Sequence, residues 1–305
     1  MPGYGEIRLA MAPRFGTRRT LRDFAPDIVH IATEGPIGWA ARSWCKASGV
    51  PFTSAFHTRF PDYAAMRTGL SPDAFWPLMR RFHARSAAVL VSTPSLAREL
   101  AGHGIAQTRL WSRGIDAALF HPGHDPLPQI AALPGPVLLY VGRVAVEKNL
   151  GAFLDCAVPG SKVVVGDGPD LAMLKARHPQ AHFTGALSGV ALAQAYRAAD
   201  CFVFPSRTDT FGLVMIEAMA CGVPVAAYPV AGPLDVVGAQ GRGADGTLPR
   251  PVGACHDDLA TAISQALTCD RADAAAYGAS YSWEAATTQF ETALASAARQ
   301  IARAA

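Results

Sequence analysis

Short runs of apolar residues alternate along the chain with segments in which apolar residues recur every three or four positions. Strands that are buried on both faces produce the first pattern, and amphipathic helices produce the second. The apolar runs predict seven strands, at residues 27–31, 51–56, 88–92, 136–141, 162–165, 200–204 and 223–228. Their alternation with helices predicts an α/β fold in which parallel sheets carry helices on both faces.

The distribution of these strands predicts two domains. Three strands precede residue 100 and four follow residue 135, and a length of 305 residues favours two cores over one. The segment 120–128, FHPGHDPLP, is rich in proline and lacks a helical or strand pattern, which is typical of a linker. The predicted domains are 1–120 and 121–281, followed by a helix at 282–305 that Ser282 can cap. The residues leave open whether this helix covers its own domain or packs on the first one.

The composition and the charge exclude several classes of protein. Half of the residues are hydrophobic and 17% are charged, which indicates a packed globular protein. The net charge of +3 comes from scattered basic residues, so we expect no nucleic-acid partner. The longest uncharged apolar stretch, 218–234, is interrupted by glycine and proline and no signal peptide is evident, so we expect a cytoplasmic protein. The six cysteines show no metal-ligand spacing.

Polar residues follow several of the predicted strands at the point where each strand ends. Ligands of open parallel sheets bind at these carboxyl ends, where helices begin. A cleft between two domains is the simplest explanation for polar residues at the carboxyl ends of strands in both sheets. On the residues alone, a histidine in such a place fits an ordinary hydrogen-bonded residue as well as one near the chemistry. The residues concerned are His57 after the second strand, Arg143 after the fourth, Gly166 to Pro169 after the fifth, and Asp209 with Gly212 after the sixth.

The segment 208–225, TDTFGLVMIEAMACGVPV, opens a helix at Gly212 and places one carboxylate before that helix and one inside it. Unpaired amides at a helix start attract phosphate oxygens, and carboxylates accept hydrogen bonds from sugar hydroxyls. In the alternative interpretation, Asp209 only caps the helix and Glu217 is an ordinary helical residue. Since Glu217 lies in an apolar run, where an unpaired charge is costly, we expect it to have a partner.

The segment 140–150, YVGRVAVEKNL, carries two cations just beyond a strand. Gly142 permits a tight turn, and the forked guanidinium of Arg143 and the ammonium of Lys148 can together neutralise a diphosphate. The alternative is two solvated surface cations, one of them paired with Glu147. Lys148 is one of only four lysines and Arg143 ends a strand, which favours the diphosphate.

The segment 166–169, GDGP, lacks the third glycine of a dinucleotide-binding fingerprint and predicts a strand-to-helix turn without a nicotinamide site. Together with the two segments above, it resembles the motifs of the GT-B fold, family 4 retaining glycosyltransferases. Residues 142–148 resemble the family's G-R-x-x-x-x-K motif, and 166–169 resemble its G-x-G-P turn. Asp209 and Glu217 resemble its carboxylate-x7-carboxylate motif, although the family usually has glutamate at the first position.

This resemblance implies two Rossmann-like parallel-sheet domains that face a cleft, and the retaining transfer of a hexose from a nucleotide diphosphate sugar. It assigns the donor diphosphate to Arg143 and Lys148, the hydroxyls of the donor sugar to Asp209 and the ribose to Glu217. No metal or other cofactor is expected, because the cations and the helix start neutralise the phosphates. In the family, the terminal helix crosses back to the first domain. Further donor contacts are expected from Gly142, Gly168, Phe211, Gly212, Leu213 and Val214.

The segment 56–63, FHTRFPDY, resembles the H-T-x-F-P-x-Y motif of one branch of the family. This resemblance implies that His57 contacts the transferred sugar, and that the turn with Glu34 and Gly35 lies near the acceptor pocket. It also implies GDP-mannose as the donor and a lipid or glycan hydroxyl as the acceptor, with peripheral contact at the inner face of the membrane.

The start of the chain departs from the family. Residues before 27 do not supply the strand, glycine-rich loop and helix with which the family's first domain opens. We therefore expect the first domain to lack at least one βαβ unit of ~30 residues or more. Two alternative functions stay open, namely a nucleotide-sugar epimerase of similar fold and a non-catalytic fragment that binds a nucleotide sugar.

Overall fold

The computed structural model describes residues 14–56, 60–209 and 211–302. The chain divides into two compact units: one runs to Ser112 and resumes at Thr287, and the other is Arg113–Ala286. The sequence placed the boundary at residue 120, behind a proline-rich linker. In the structure the segment 120–128 lies inside the second unit, where the N–H of Leu127 donates to the carbonyl of Gln194 over 2.9 Å.

The first unit is built on a four-stranded parallel sheet in the order β1-β2-β3-β4. Its strands are β1 (Val29–Ile31), β2 (Phe52–Phe56), β3 (Val89–Val91) and β4 (Thr108–Leu110). Its helices include α1 (Arg14–Phe24), α2 (Pro36–Ser48), α3 (Phe60–Thr68), α4 (Trp76–His83) and α5 (Pro94–Gly102), and a 3-10 turn covers Pro72–Ala74. Proline suits the first turn of α2, where its missing N–H has no helical partner to lose.

The second unit is built on a six-stranded parallel sheet in the order β10-β9-β8-β5-β6-β7. Its strands are β5 (Val137–Val141), β6 (Ser161–Val165), β7 (His182–Gly185), β8 (Cys201–Phe204), β9 (Val225–Ala227) and β10 (Gly253–Cys255). Its helices are α6 (Pro128–Ala131), α7 (Leu150–Leu154), α8 (Leu171–Arg177), α9 (Gly189–Arg197), α10 (Leu213–Ala220), α11 (Ala231–Val236), α12 (Leu259–Ala266) and α13 (Arg271–Ala279), with a 3-10 turn at Val146–Lys148.

The core of the second unit lies on both faces of its sheet. In β5, Leu139 and Val141 point into one buried cluster, whereas Leu138 and Tyr140 point into the other. This division follows from the two-residue period of a strand. It explains why the strand has an uninterrupted apolar sequence.

The last helix, α14 (Trp283–Ala302), contributes its residues from Thr287 onward to the first unit. Ala293 packs there with Ala55 of β2 and Leu90 of β3. The ring of Phe290 lies 4.9 Å from that of Trp111. This part of the helix therefore covers one face of the four-stranded sheet.

The seven predicted strands and the parallel α/β class are confirmed, with strand ends that differ from the predicted ones by at most two residues. The structure adds β4, β7 and β10, which lie at sheet edges. These strands escaped prediction because they are short and, in β4 and β7, partly exposed, so they lack a continuous apolar run. None of the helices in the described ranges is long and apolar enough to cross a membrane.

Candidate functional site

The carboxyl ends of β5 and β8, which are neighbours in the sheet of the second unit, carry an ion pair. The ammonium of Lys148 donates to both carboxylate oxygens of Asp209, over 2.6 and 2.9 Å. The two side chains keep 24% and 25% of their surface exposed, so a ligand can reach them. The alternative interpretation paired one of the two cations, Arg143 or Lys148, with Glu147; in the described structure the ion pair of Lys148 is with Asp209.

Asn149 fixes the loop that carries this lysine. It follows the 3-10 turn Val146–Lys148 in a left-handed conformation, with φ of 55°. Asparagine is among the few residues other than glycine that adopt this conformation routinely. Its side-chain amide donates to the carbonyl of Pro205 over 3.1 Å, so the loop after β5 is tied to the loop after β8. The sequence analysis missed Asn149, and the only signal for it is its residue type directly after Lys148.

Arg143 lies exposed at the end of β5, and a buried tyrosine holds its backbone. The hydroxyl of Tyr140 donates to the carbonyl of Arg143 over 2.9 Å. Burial, together with the negative charges of Asp209 and Glu147, raises the pKa of Tyr140 beyond its ordinary range. The phenol therefore stays a neutral donor, and it fixes the turn from which the guanidinium extends.

The predicted turn at 166–169 is confirmed, because it joins β6 to α8. Its backbone lies directly against the loop after β5: a Cβ atom at Gly166 would lie 1.9 Å from the carbonyl oxygen of Gly142, and one at Gly168 would lie 2.2 Å from that of Val144. Glycine is therefore required for the two loops to approach. A cavity of about 300 Å³ lies here, lined in part by Arg143 and Asp167.

The start of α10 faces the same edge. Gly212 is its N-cap in a left-handed conformation, with φ of 81°, and offers no side chain to the first amides of the helix. Leu213 is exposed and Val214 is partly exposed, so their N–H groups begin a helix that a ligand can approach. The ring of Phe211 is buried in the core, so this predicted donor contact is restricted to its backbone.

Glu217, in the second turn of α10, has the partner that the sequence analysis expected. The hydroxyl of Tyr196, on α9, donates to Oε2 of Glu217 over 2.8 Å. Burial raises the pKa of the Glu217 carboxyl, and the hydrogen bond from Tyr196 lowers it in part. The sequence analysis missed Tyr196, since no spacing connects α9 with α10. The one available signal was a tyrosine in an apolar helix, whose hydroxyl needs an acceptor.

The candidate residues of the first unit lie at the edge of its own sheet. Glu34 is in the turn after β1, and Oε1 accepts a hydrogen bond from Nε2 of His83 over 3.2 Å. Gly35 is the N-cap of α2. His57 follows β2 but lies outside the described residues. Within the described ranges, no three His, Cys, Asp or Glu side chains gather closely enough to hold a metal ion.

Two family descriptions match this chain, one in each part of the sequence. The family described as Glycosyltransferase Family 4 matches residues 1–119. The family described as Glycosyl transferases group 1 matches residues 135–269, which include Arg143, Lys148, Asp209 and Glu217.

Named relatives are similar over most of the chain. Sulfoquinovosyl transferase SQD2 of Arabidopsis thaliana is 32% identical, over 93% of this chain and 59% of its own length. The GDP-mannose-dependent alpha-mannosyltransferase of Mycobacterium tuberculosis is 33% identical, over 83% of this chain and 67% of its own length. The chain thus spans three fifths to two thirds of these relatives. HepE of Anabaena, solved in complex with UDP, has a similar fold, with a TM-score of 0.70, 18% identity and coverage of 92% of this chain and 81% of that one.

Proposed function

This chain belongs to the group 1, family 4 glycosyltransferases, and on that premise we propose that it transfers a hexose from a nucleotide diphosphate sugar to a lipid or glycan hydroxyl. One observation carries the proposal: Lys148 and Asp209 form a partly exposed ion pair at the carboxyl edge of the second sheet, beside the start of α10. A sugar diphosphate needs these groups, since the cation and the helix start bind its phosphates and the carboxylate accepts hydrogen bonds from its sugar hydroxyls.

The ion pair suits a ligand that carries both phosphate and hydroxyl groups. An arriving diphosphate competes with Asp209 for the ammonium of Lys148, and the released carboxylate can accept hydrogen bonds from the sugar. During transfer, the bond between sugar C1 and the phosphate oxygen breaks and a bond from C1 to the acceptor oxygen forms, while the hydroxyl proton leaves with the diphosphate. Arg143, Lys148 and the amides of α10 stabilise the charge that develops on the leaving group.

The finer parts of the proposal rest on the family motifs and on the named relatives. The mycobacterial relative supports GDP-mannose as the donor. Retention of configuration follows the family to which the motifs belong. We propose that His57 contacts the transferred sugar and that Glu217 accepts a hydrogen bond from the ribose. Metal independence is proposed because two cations and a helix start already face the diphosphate position.

Calorimetric titration with GDP, UDP and ADP in EDTA tests the donor site. We expect GDP to bind, and Arg143→Ala to weaken binding by about tenfold to hundredfold, as for loss of a charged hydrogen-bond donor. Arg242→Ala is the matched control, because Arg242 is an exposed arginine between α11 and β10. If a folded chain binds none of the three nucleotides, the proposed donor site is wrong.

Product analysis separates the transferase from its alternatives. GDP-mannose is incubated alone, with methyl α-D-mannopyranoside, or with phosphatidylglycerol vesicles that contain dioleoylglycerol. A transferase forms a glycosylated acceptor in one of the last two arms and at most hydrolyses the donor slowly in the first. A changed donor sugar in the first arm would establish an epimerase instead. Binding without any turnover would establish a nucleotide-sugar binding fragment.

A further inference from the structure

A chain of buried polar side chains ends on Glu34 in the first unit. Oγ of Ser86 lies 2.5 Å from Oγ of Ser54, which lies 2.8 Å from Nδ1 of His83. On the other side of the ring, Nε2 lies 3.2 Å from the Glu34 carboxylate. The side chain of His83 is fully buried and that of Glu34 is 9% exposed. These hydrogen bonds therefore join four separate segments: the turn after β1, strand β2, the end of α4 and the loop before β3.

One arrangement of protons gives every hydrogen bond in this series of side chains a donor and an acceptor, with a neutral imidazole. The hydroxyl of Ser86 donates to Ser54, and the hydroxyl of Ser54 donates to Nδ1 of His83. The ring then carries its proton on Nε2 and donates to Glu34. Each donor points towards the carboxylate, so the carboxylate is the group that the chain orients.

The imidazole of His83 has little freedom to turn. Its centroid lies 5.0 Å from the ring of Phe82 and 6.0 Å from that of Phe56. The backbone carbonyl of His83 accepts a hydrogen bond from the side chain of Gln107 over 2.9 Å. The imidazole is packed against two phenylalanine rings and hydrogen-bonded at both nitrogens, so it fixes the position of the Glu34 oxygen that it contacts.

Helix capping does not account for this carboxylate. Glu34 does not cap α2, because Gly35 occupies the N-cap position. Burying a carboxylate is costly, and apolar replacements of buried polar networks are often neutral or stabilising. Glu34 instead lies at the carboxyl edge of the first sheet, the edge at which open parallel sheets bind ligands.

We propose that Glu34 accepts a hydrogen bond from a hydroxyl of the acceptor substrate, and that His83 and Ser54 are positioning residues that hold its carboxylate. This inference rests on the proposed function, because a transferase needs a second substrate besides the donor. The edge of the second sheet already carries the cations, the carboxylate and the helix start that suit a sugar diphosphate. The oriented carboxylate in the first unit suits a hydroxyl-bearing molecule.

The variant Glu34→Gln tests the contact. The amide keeps the size of the side chain and can still accept from Nε2, but its NH2 group cannot accept from a substrate hydroxyl. With the probe that the wild type glycosylates, either methyl α-D-mannopyranoside or dioleoylglycerol in vesicles, we expect the acceptor KM to rise about tenfold or more. Hydrolysis of GDP-mannose without acceptor should stay within about twofold of the wild type, since the donor site is untouched. Glu291→Gln, on the exposed face of α14, is the control and should change neither quantity.

The positioning role has a separate readout. Long-range ¹H–¹⁵N spectra of the imidazoles, with the His83 signal assigned by its loss in His83→Gln, should show the proton on Nε2 in the wild type. Ser54→Ala removes the donor to Nδ1, so the ring should lose this single tautomer and the acceptor KM should rise about threefold. A proton on Nδ1 in the wild type would overturn the positioning role.

The two proposals fail in different ways. A wild type that neither hydrolyses nor transfers the sugar overturns the proposed function, and this inference with it. A wild type that transfers, with Glu34→Gln matching Glu291→Gln in acceptor KM, overturns this inference alone. Equal loss of donor hydrolysis and transfer in Glu34→Gln also overturns it, because the carboxylate would then only support the fold.

Discussion

Asp209 and Glu34 are both carboxylates at the carboxyl edge of a parallel sheet, but they are held in opposite ways. Asp209 pairs with the ammonium of Lys148, and a quarter of each side chain is exposed. Glu34 accepts from a fully buried imidazole and is almost buried itself. The first partner is a long, mobile, charged side chain at the surface, whereas the second is part of the core.

The two carboxylates differ in whether a ligand can replace the partner that holds them. A surface ion pair contributes little net stability, so a phosphate can exchange for one of its members at small cost. The His83 side chain cannot leave Glu34 without breaking its packing against Phe82. We infer that the second unit has a site that rearranges on binding, and that the first unit has a site whose geometry is set by folding.

Removal of the exchangeable partner should have the largest effect. Lys148→Ala takes away a cation from the diphosphate and leaves Asp209 without its partner. We expect kcat/KM for the donor to fall by about 10²- to 10³-fold, as for the loss of one stabilising group at a developing anion. Thermal stability should change little, because the pair is partly exposed.

Lys175→Ala is the matched control for that experiment, because Lys175 is an exposed lysine on α8 of the same unit. It should leave kcat/KM unchanged. A large loss of stability in Lys148→Ala, with unchanged kinetics at low temperature, would show that the pair supports the fold and is not exchanged for substrate.

The sequence predicted the second site better than the first for a physical reason. Gly142, Arg143 and Lys148 belong to one short loop, and Asp209 and Glu217 belong to another, so their spacing carries information. The hydrogen bonds that orient Glu34 join His83 to residues 49 and 29 positions away, Glu34 and Ser54, which only folding brings together. The edge strands β4 and β7 show another limit, since their partly exposed residues lack the apolar runs of the central strands.

Gly212→Ala should perturb the second unit alone. A Cβ atom there would lie 2.9 Å from the ring of Phe204, so overpacking of about 1–3 kcal/mol adds to the backbone cost of a left-handed alanine. Gly246→Ala is matched in φ, 73° against 81°, but has open space around the new atom. We expect Gly212→Ala to unfold at lower temperature in calorimetry and to bind GDP more weakly than Gly246→Ala.

The imidazole ¹H–¹⁵N signal of His83 gives a further test with the Gly212→Ala variant. If the first site is set by its own core, the tautomer of His83 should be the same in Gly212→Ala as in the wild type. A shift of that signal would contradict the independence of the two sites.

The smallest expected effect concerns Tyr196→Phe, because it removes only the hydrogen bond to Glu217. That bond lowers a pKa which burial raises, so its loss raises the pKa of Glu217 further. If the ionised carboxylate binds the ribose, GDP affinity declines as the pH falls through this pKa, and the decline should begin at a higher pH in the variant. The difference in affinity should be about two- to fivefold in that window and vanish at higher pH.

The same substitution should also affect stability, and here the larger effect is expected at high pH. A carboxyl whose folded pKa is raised stabilises the fold most when it is protonated, and this contribution is lost as the pH rises through the folded pKa. Tyr196 offsets that loss in the wild type, so Tyr196→Phe should lower the melting temperature more at high pH than at low pH. In Tyr281→Phe, which removes a hydroxyl bonded to the phenol of Tyr277, the loss should be independent of pH across the carboxyl range. Equal pH dependence in the two variants would mean that Glu217 is not the group that titrates, and that its burial serves packing instead of the donor.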